Sequence, residues 1–482
     1  MDIKSISANV GKALLVNALF MLMSVGVSII YGFDSGFTPL LISCLVTMLV
    51  GAFPFLFSQG EKHESIKDGY VTIVLSWILS FVFGMLPYVL WGGEFTLANA
   101  WFESVSGYTT TGSTILTDIE ALPHSLLFWR SSTQFIGGLG VAVFLLLALP
   151  DSSQLKLKLS HLELSSIARD GYRYKSSKTV WIILMVYIGM AVLESISLCI
   201  AGMDIFDSIN HAFCTVSTGG FSTRNSSIMH YDSQAIDIII MVFMALSAMH
   251  FGVIYAIFAK RSLRPLGQPI TKYYFGVIAV IAVSIALTLM TRGGYGSFGN
   301  AALDASFQTI SFLSSTGFGQ ADNSSWPMLA NALLLFAALH GGCAGSTTGG
   351  VKANRMLIAE KAIGGEFRKR LSPASVFRIK IGKNFIPEDM VSAVFLFMVL
   401  FLMALFVSFV GAVMCGVEVA EAFAGSLASL SNTGPAMGSL GTMGNYAALP
   451  DMAKIIFTFD MFFGRLEIIP ILIVISMIFK RI

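Results

Sequence analysis

Charged residues are scarce in this chain, since Asp, Glu, Lys and Arg together make up 12% of its 482 residues. Soluble domains carry about 25%, so the composition excludes a cytosolic enzyme and a disordered chain. The formal net charge is only +2, which excludes binding of nucleic acid through a strongly basic surface. Hydrophobic residues make up 55% of the chain. This composition is typical of an integral membrane protein.

Cysteine and histidine are also few and carry no motif. The five cysteines are scattered, odd in number and without CxxC spacing, which excludes a disulfide scaffold and favours small buried side chains. The seven histidines show no HExxH or similar ligand spacing. The sequence therefore predicts no catalytic metal site.

Ten apolar runs are long enough for membrane helices of roughly 20 residues. Of the 30 Lys and Arg residues, 25 lie near the two termini or in alternate loops between these runs. Because positive charge concentrates on the cytoplasmic side, both termini are expected in the cytoplasm. The first run lacks a convincing cleavage site, so we expect a retained hairpin. The runs lie near 11–31, 38–58, 69–91, 124–149, 179–201, 234–259, 271–291, 327–360, 389–414 and 451–479.

Four of the five loops on the opposite side repeat one pattern. In each, Asn, Asp or Glu precedes a glycine by thirteen residues, and Ser or Thr precedes that glycine by three. Each interval between the glycines contains two apolar runs, so the repeat is a span, a short re-entrant helix, a glycine-containing stretch and a second span. We expect the acidic or amide residue to cap each short helix or lie in its first turn. The pairs are Asn99 and Gly112, Asp207 and Gly220, Asp304 and Gly317, and Glu421 and Gly434.

The repeated stretches predict an ion filter. Non-helical backbone at membrane depth is tolerated only where protein buries it or a water-filled path receives it. Glycine permits backbone geometry that turns carbonyls towards a common axis, and rings of such oxygens replace the hydration shell of a cation. A single Ser/Thr–Gly pair would indicate only an ordinary turn. Four pairs at equivalent positions favour an ion filter over loops that have no role in ion transport. The predicted filter residues are Thr110, Thr111, Gly112, Thr218, Gly219, Gly220, Ser315, Thr316, Gly317, Asn432, Thr433 and Gly434.

These motifs resemble the Trk/Ktr/HKT superfamily of potassium transporters, most closely its TrkH type. The resemblance also rests on the glycine-rich run 341–350, on the Phe-Gly-Arg-Leu-Glu segment 463–467 and on the additional N-terminal hairpin. It implies K⁺ as the transported ion, no organic cofactor and a location in the bacterial inner membrane with lipid around it. It also implies a homodimer and a cytosolic, TrkA-like, nucleotide-binding regulatory ring. Glycine at 112, where sodium-selective relatives often have serine, favours potassium.

The fold that we expect is an all-α integral membrane protein. Four M1–P-loop–M2 repeats surround a pore in pseudo-fourfold symmetry, and an N-terminal transmembrane hairpin precedes them. The third repeat has an interrupted second span. The expected units are the hairpin 1–60 and the repeats 61–165, 166–265, 266–375 and 376–482.

The interruption in the eighth run is a predicted gate. Five of the ten residues in 341–350 are glycine, and each costs a helix roughly 1 kcal/mol relative to alanine. We expect a loop at membrane depth below the filter, and the resemblance implies that it obstructs the pore. A simple cytoplasmic turn is the alternative, and a phosphate-binding loop is excluded because Val351 follows the run. The predicted gate residues are Gly341, Gly342, Gly345, Ser346, Thr347, Thr348, Gly349, Gly350 and, in the tenth run, Arg465.

Charged residues within apolar runs indicate paired or pore-facing groups. We expect Arg465 to bind loop carbonyls and to raise the barrier to cations; the alternative is a salt bridge with Glu467 or Asp460. Arg130 is expected to pair with an outer carboxylate such as Glu120 or Asp118.

Two further polar features are less specific. We expect Glu194 to form an interhelical hydrogen bond rather than an ion path. The basic segment 352–383 is expected to touch anionic lipid or the regulatory ring, or to be a solvated loop.

The sequence predicts uptake of potassium and rubidium and no enzymatic activity. A sodium-selective or non-selective cation channel or symporter of the same fold is the first alternative. An intramembrane enzyme would need a converging set of nucleophile and base or metal ligands, and the sequence contains no such pattern. A membrane assembly platform that moves no ions is the last alternative. Channel and ion-coupled symporter both stay open.

Overall fold

The computed structural model describes residues 2–56, 65–147, 176–259, 261–372, 378–382 and 384–480. These residues are mostly helical, and two short strands, Lys380–Ile381 and Asn384–Phe385, pair antiparallel with Lys380 opposite Phe385. The α-helices are Ile3–Ile30, Phe37–Ala52, Ile66–Gly84, Leu86–Trp91, Leu97–Tyr108, His124–Leu147, Ser176–Ile200, Ile205–Val216, Gln234–Ser247, Phe251–Phe258, Pro269–Arg292, Phe298–Leu313, Met328–His340, Ala353–Leu371, Glu388–Met414, Val419–Leu430, Asp451–Arg465 and Ile469–Lys480. Short 3₁₀ helices are Phe53–Leu56, Ser227–Tyr231, Arg264–Gly267, Asn323–Ser325 and Gly438–Leu440.

Within the described ranges, six helices are long and apolar enough to cross a membrane. Large apolar side chains such as Leu402 and Val407 are exposed on the outside, as expected where lipid is the solvent. The six are Ile3–Ile30, Phe37–Leu56, Lys67–Trp91, Trp181–Ile200, Pro269–Arg292 and Glu388–Met414.

In the described residues, the sixth, eighth and tenth predicted spans are broken. The eighth was expected to be broken, whereas the prediction of continuous sixth and tenth spans is wrong. In the sixth, Gln234–Ser247 and Phe251–Phe258 meet at 114°. In the tenth, Glu467 and Ile468 have φ of 62° and 57°, which ends one helix and begins another.

The N-terminal hairpin packs closely on itself. Gly11 and Gly51 face each other, since a Cβ added at Gly51 would lie 3.1 Å from the Gly11 carbonyl oxygen. The Cys44 thiol donates to the Ala18 carbonyl at 3.3 Å. The unit boundaries predicted after residues 60, 165 and 375 lie at or within stretches outside the described residues.

Four short helices between the longer ones correspond to the predicted re-entrant helices: Leu97–Tyr108, Ile205–Val216, Phe298–Leu313 and Val419–Leu430. Asp207 and Glu421 lie in the first turns of the second and fourth of these helices, as expected. Asn99 also lies in a first turn, where Thr96 is the N-cap and accepts from the Asn99 amide. Asp304 lies a turn further along, because the third helix has 16 residues and begins earlier. The C-terminal halves of all four are buried.

Candidate ion filter and gate

All four re-entrant helices end in the same backbone motif. Thr110, Thr218, Ser315 and Asn432 have φ between 52° and 56°, a left-handed conformation that costs a non-glycine residue about 1–2 kcal/mol. The next amide then bonds the carbonyl five residues earlier, for example Thr111 N to Ser106 O at 2.9 Å and Thr433 N to Ala428 O at 2.9 Å. This Schellman motif turns the chain out of the helix at equivalent positions in every repeat.

The glycine two residues after each strained position faces the next repeat. A Cβ at Gly112 would lie 2.2 Å from the Gly219 carbonyl oxygen, and one at Gly220 would lie 1.8 Å from the Thr316 oxygen. At Gly317 it would lie 2.1 Å from the Thr433 oxygen. The fourth contact closes the ring.

That closing contact joins the last repeat to the first, since a Cβ at Gly434 would lie 2.5 Å from the Thr111 carbonyl oxygen. The four glycines have φ between 79° and 85°, so both conformation and space require glycine. The structure thus brings the four predicted stretches into one closed ring of backbone carbonyls.

A cavity of about 60 Å³ lies against this ring. It is lined by the four ring glycines and by side chains of the following loops, among them Ser113 and Tyr446. The Tyr446 hydroxyl donates to the Gly434 carbonyl at 2.8 Å, and the Ser113 hydroxyl donates to the same oxygen at 3.3 Å. Side chains from outside the four ring stretches therefore fix the orientation of the Gly434 carbonyl.

Arg130 connects the first re-entrant helix to the segment after the second ring stretch, and the partners expected for it were wrong. It pairs with Glu103, on the first re-entrant helix, at 2.8 Å with both side chains buried. Its Nη1 donates to the Ser222 carbonyl at 3.2 Å, just beyond the second ring stretch. Glu120 and Asp118 instead accept from Asn225. The signal for Glu103 was that it is the single charged residue of a short re-entrant helix, because a buried charge needs a partner.

The glycine-rich loop 341–350 contacts the ends of three re-entrant helices. The Thr347 hydroxyl donates to the Val216 carbonyl at 3.3 Å, and the Gly349 amide donates to Ser315 Oγ at 2.9 Å. A Cβ at Gly349 would lie 2.2 Å from the Ser431 carbonyl oxygen. The loop 341–350 therefore lies directly against the ring stretches.

The same loop completes the broken sixth span. The Cys343 amide donates to the Ala248 carbonyl at 2.8 Å, and the Phe251 amide donates to the Gly345 carbonyl at 3.2 Å. Gly345 has a φ of 78° and lies so close to the His250 ring that a Cβ there would be 2.4 Å from it. Backbone groups freed by the two breaks thus satisfy each other, as apolar surroundings require.

Arg465 is buried and holds the loop. Its Nη1 donates to the Thr347 carbonyl, and its Nη2 donates to the Gly137 carbonyl at 3.1 Å. The alternative of a salt bridge with Asp460 or Glu467 is wrong. Asp460 accepts from the Ser408 hydroxyl.

Glu467 has a role that the sequence reasoning missed. It bonds Lys352 Nζ at 2.7 Å and Arg355 Nη2 at 2.5 Å, both just beyond the loop. The signal in the sequence was Glu467 itself, an acid two residues after Arg465 in an apolar run. Lys352 and Arg355, which follow the glycine-rich run, were the available cations.

Glu194 is fully buried beside Thr215 of the second re-entrant helix. The Thr215 hydroxyl donates to the His211 carbonyl at 2.8 Å and lies close enough to the Glu194 carboxyl group to interact with it, so the interhelical hydrogen bond of Glu194 stays a prediction. Across the described residues, no three His, Cys, Asp or Glu side chains form a group that would hold a metal ion.

Membrane-length helices around a closed ring of four re-entrant segments define an all-α integral membrane transporter. The chain belongs to the TrkH family, described as cation transport protein, which matches residues 40–480.

Relatives match the chain over most or all of its length. The Trk system potassium uptake protein TrkH of Escherichia coli K12 is 32% identical over 490 residues, covering 100% of both chains. The TrkG protein of the same strain is 32% identical and covers 86% of each. The crystal structure of the potassium transporter TrkH from Vibrio parahaemolyticus superposes with a TM-score of 0.89 at 30% identity, covering 98% of both chains.

Proposed function

We propose that this chain takes up potassium, and with it rubidium, across a cell membrane. The observation that carries the proposal is the closed ring in which each of Gly112, Gly220, Gly317 and Gly434 faces a carbonyl of the next repeat. Relatives matched over their full length are named for potassium uptake, and this agrees with the chemistry of the ring.

The filter would select by replacing water around the ion. Backbone carbonyls of the residues at 110–112, 218–220, 315–317 and 432–434 supply oxygens without formal charge, which suits a monovalent ion that must also leave. The negative ends of four helices favour a cation there. K⁺ is the transported substrate in this proposal, and no organic cofactor takes part.

The loop 341–350 would be the gate. It contacts the ends of three of the four re-entrant helices, and Arg465 places a guanidinium beside it. A fixed positive charge next to the path raises the barrier to a cation. Movement of the loop, together with release from Arg465, would open the path.

A cytosolic partner is the proposed source of that movement. The helix Ala353–Leu371 begins three residues after the loop and ends in the exposed basic residues Arg368, Lys369 and Arg370. A TrkA-like nucleotide-binding ring that binds this helix would act on the loop directly. We also propose a homodimer in lipid, in the bacterial inner membrane, with both termini cytoplasmic and without enzymatic activity.

Flux into proteoliposomes tests the function. We expect uptake of K⁺ and Rb⁺ well above that of Na⁺ and Li⁺. Equal Na⁺ uptake would favour the non-selective alternative, and no flux of any ion would contradict the proposal. An imposed proton gradient that drives uptake against the K⁺ gradient would identify a symporter.

A further inference from the structure

The second ring stretch lacks a side chain that the other three stretches share. The residue just before each ring glycine carries the carbonyl that faces the neighbouring stretch. It is a glycine, Gly219, in the second repeat and a threonine in the others. A Cβ added at Gly219 would lie 2.4 Å from Oε1 of Gln134, so the Gln134 side chain occupies the space that a threonine would fill. The three threonines are Thr111, Thr316 and Thr433.

Each of these threonine side chains bonds a group two residues earlier in its own stretch. The hydroxyls of Thr111 and Thr109 lie 2.8 Å apart, and those of Thr316 and Ser314 also lie 2.8 Å apart. The Thr433 hydroxyl makes a longer bond of 3.5 Å to a carbonyl two residues before it. Gly219 has no side chain with which to form such a bond, so the second stretch must be held in another way.

Gln134 supplies two hydrogen bonds to the second stretch. Its Nε2 donates to the Gly219 carbonyl at 2.7 Å, and its Oε1 accepts from the Phe221 amide at 3.0 Å. A carbonyl only accepts and a backbone amide only donates, so these two partners fix the orientation of the Gln134 amide group. The bonds hold the backbone on both sides of the ring glycine Gly220.

One face of a single helix supports this stretch over consecutive turns. Gln134 is fully buried in the helix His124–Leu147, and Arg130, one turn earlier, bonds the Ser222 carbonyl. Gly138, one turn later, is so close to the stretch that an added Cβ would lie 2.8 Å from a side-chain carbon of it. A threonine side chain in place of Gly219 would not fit beside this face.

We propose that Gln134 is the positioning residue of the second stretch and sets ion selectivity through the Gly219 carbonyl. This inference rests on the proposed function of the ring. A carbonyl oxygen that accepts a hydrogen bond from a buried side chain is held in one direction, so it resists moving inwards around a smaller ion. Na⁺ needs closer oxygens than K⁺ or Rb⁺ to replace its hydration shell, and the ring therefore disfavours it.

Uptake of Rb⁺ and Na⁺ by the full-length chain in proteoliposomes tests the proposal. Gln134→Met keeps most of the side-chain volume but neither hydrogen bond. We expect the ratio of Rb⁺ to Na⁺ uptake to fall about fivefold, the effect of one net hydrogen bond. The fall should come from faster Na⁺ uptake, which a loss of folded protein would not produce. Gln134→Leu, with a different packing shape, should give the same result.

A paired substitution tests whether Gln134 takes the place of a threonine. Gly219→Thr alone forces a side chain against Gln134 and should lower the ratio. Gln134→Ala combined with Gly219→Thr makes the second stretch like the other three, so the double variant should recover the wild-type ratio. A folded double variant that is no more selective than Gly219→Thr would overturn the proposal.

Asn17→Leu is the matched control. Asn17 is a buried amide of the N-terminal hairpin that donates to Ser80 Oγ at 2.9 Å, so its loss should leave the ratio unchanged. Elution volume and thermal unfolding establish that each variant is folded. An equal fall of the ratio in Asn17→Leu would overturn the proposal, because any lost buried amide would then have the same effect.

Failure of this inference is distinguishable from failure of the proposed function. An unchanged ratio in folded Gln134→Met and Gln134→Leu, with a selective wild-type protein, would overturn the role of Gln134 alone. A wild-type protein that takes up Rb⁺ no faster than Na⁺ would contradict potassium uptake, and the role of Gln134 with it.

Discussion

Glu467 bonds Lys352 Nζ at 2.7 Å, and so joins the break in the last helix pair to the end of the 341–350 loop. Two residues earlier, Arg465 bonds the Thr347 carbonyl in the middle of the same loop. One short segment therefore holds the loop at two points. A movement of this segment, or of the helix that carries Lys352, acts on both contacts together.

Arg465→Ala should raise Rb⁺ uptake by about tenfold in proteoliposomes that contain this chain alone. The substitution removes the bond to Thr347 and a positive charge beside the path, and a barrier lower by about 1.4 kcal/mol gives that factor. Arg465→Lys keeps the charge but not the two-carbonyl geometry, so an intermediate rate is expected. The control is Arg292→Ala, because Arg292 is exposed and is distant in the sequence from both Arg465 and the loop 341–350. An unchanged rate in Arg465→Ala would argue against the gate.

Glu467→Gln should lower the free energy of unfolding by about 2 kcal/mol, between the values for exposed and buried ion pairs. It leaves two cations, Lys352 and Arg355, without their carboxylate. A double-mutant cycle with Lys352→Met, followed by chemical unfolding in detergent, measures the coupling. Additive effects of the two substitutions would mean that the pair contributes nothing.

Each ring glycine should be required for selectivity. Serine at Gly220 places its Cβ 1.8 Å from the Thr316 oxygen, whereas serine at Gly434 is the least crowded of the four at 2.5 Å. We therefore expect the ratio of Rb⁺ to Na⁺ uptake to fall most for Gly220→Ser and least for Gly434→Ser. Gly202→Ser is the control, because Gly202 has a φ of 99° but nothing within 4 Å of an added Cβ. If the ratio of Rb⁺ to Na⁺ uptake fell equally for Gly202→Ser, backbone strain alone would account for the effect.

The closed ring of four stretches was predictable because the chain repeats the same pattern four times. The constant spacing between an acidic or amide residue and a glycine identifies four equivalent stretches. Their glycines, from Gly112 to Gly434, each contact the next stretch around the ring. The broken sixth span was not predictable from its own residues. Its break is stabilised by bonds from Cys343 and to Gly345, which lie far away in the chain. Hydropathy reports how apolar a segment is but not where its backbone hydrogen bonds go.

The ion-pair partner of Arg130 was also predicted wrongly. Arg130 has carboxylates nearby in sequence, at Asp118 and Glu120, yet it pairs with Glu103. The pairing depends on which face of the first re-entrant helix points inward, and that is set by packing against other repeats. The Arg465 contact with a loop carbonyl was predicted because a buried guanidinium beside freed backbone oxygens has few other acceptors.

Asp34 connects the N-terminal hairpin to the first repeat outside the membrane-spanning helices. It accepts from the Ser28 hydroxyl at 2.6 Å and from the Ser125 hydroxyl and amide at 2.7 and 3.0 Å. Partial burial by itself raises the pKa of Asp34, but these hydrogen bonds, with one from the Gly36 amide, lower it below its ordinary value. The charged carboxylate is therefore the form that the folded protein favours.

The contribution of Asp34 to stability should depend on pH. Because its pKa is lower in the folded state, the stabilisation is complete above the unfolded value of about 3.9 and is lost as the pH falls through the folded value. Asp34→Asn removes this dependence, so its melting temperature should fall less than that of the wild-type protein between pH 5 and pH 3. Differential scanning fluorimetry in detergent measures this, with Asp232→Asn in an exposed loop as the control. Parallel melting curves for wild type and Asp34→Asn would show that the serine bonds do not favour the carboxylate.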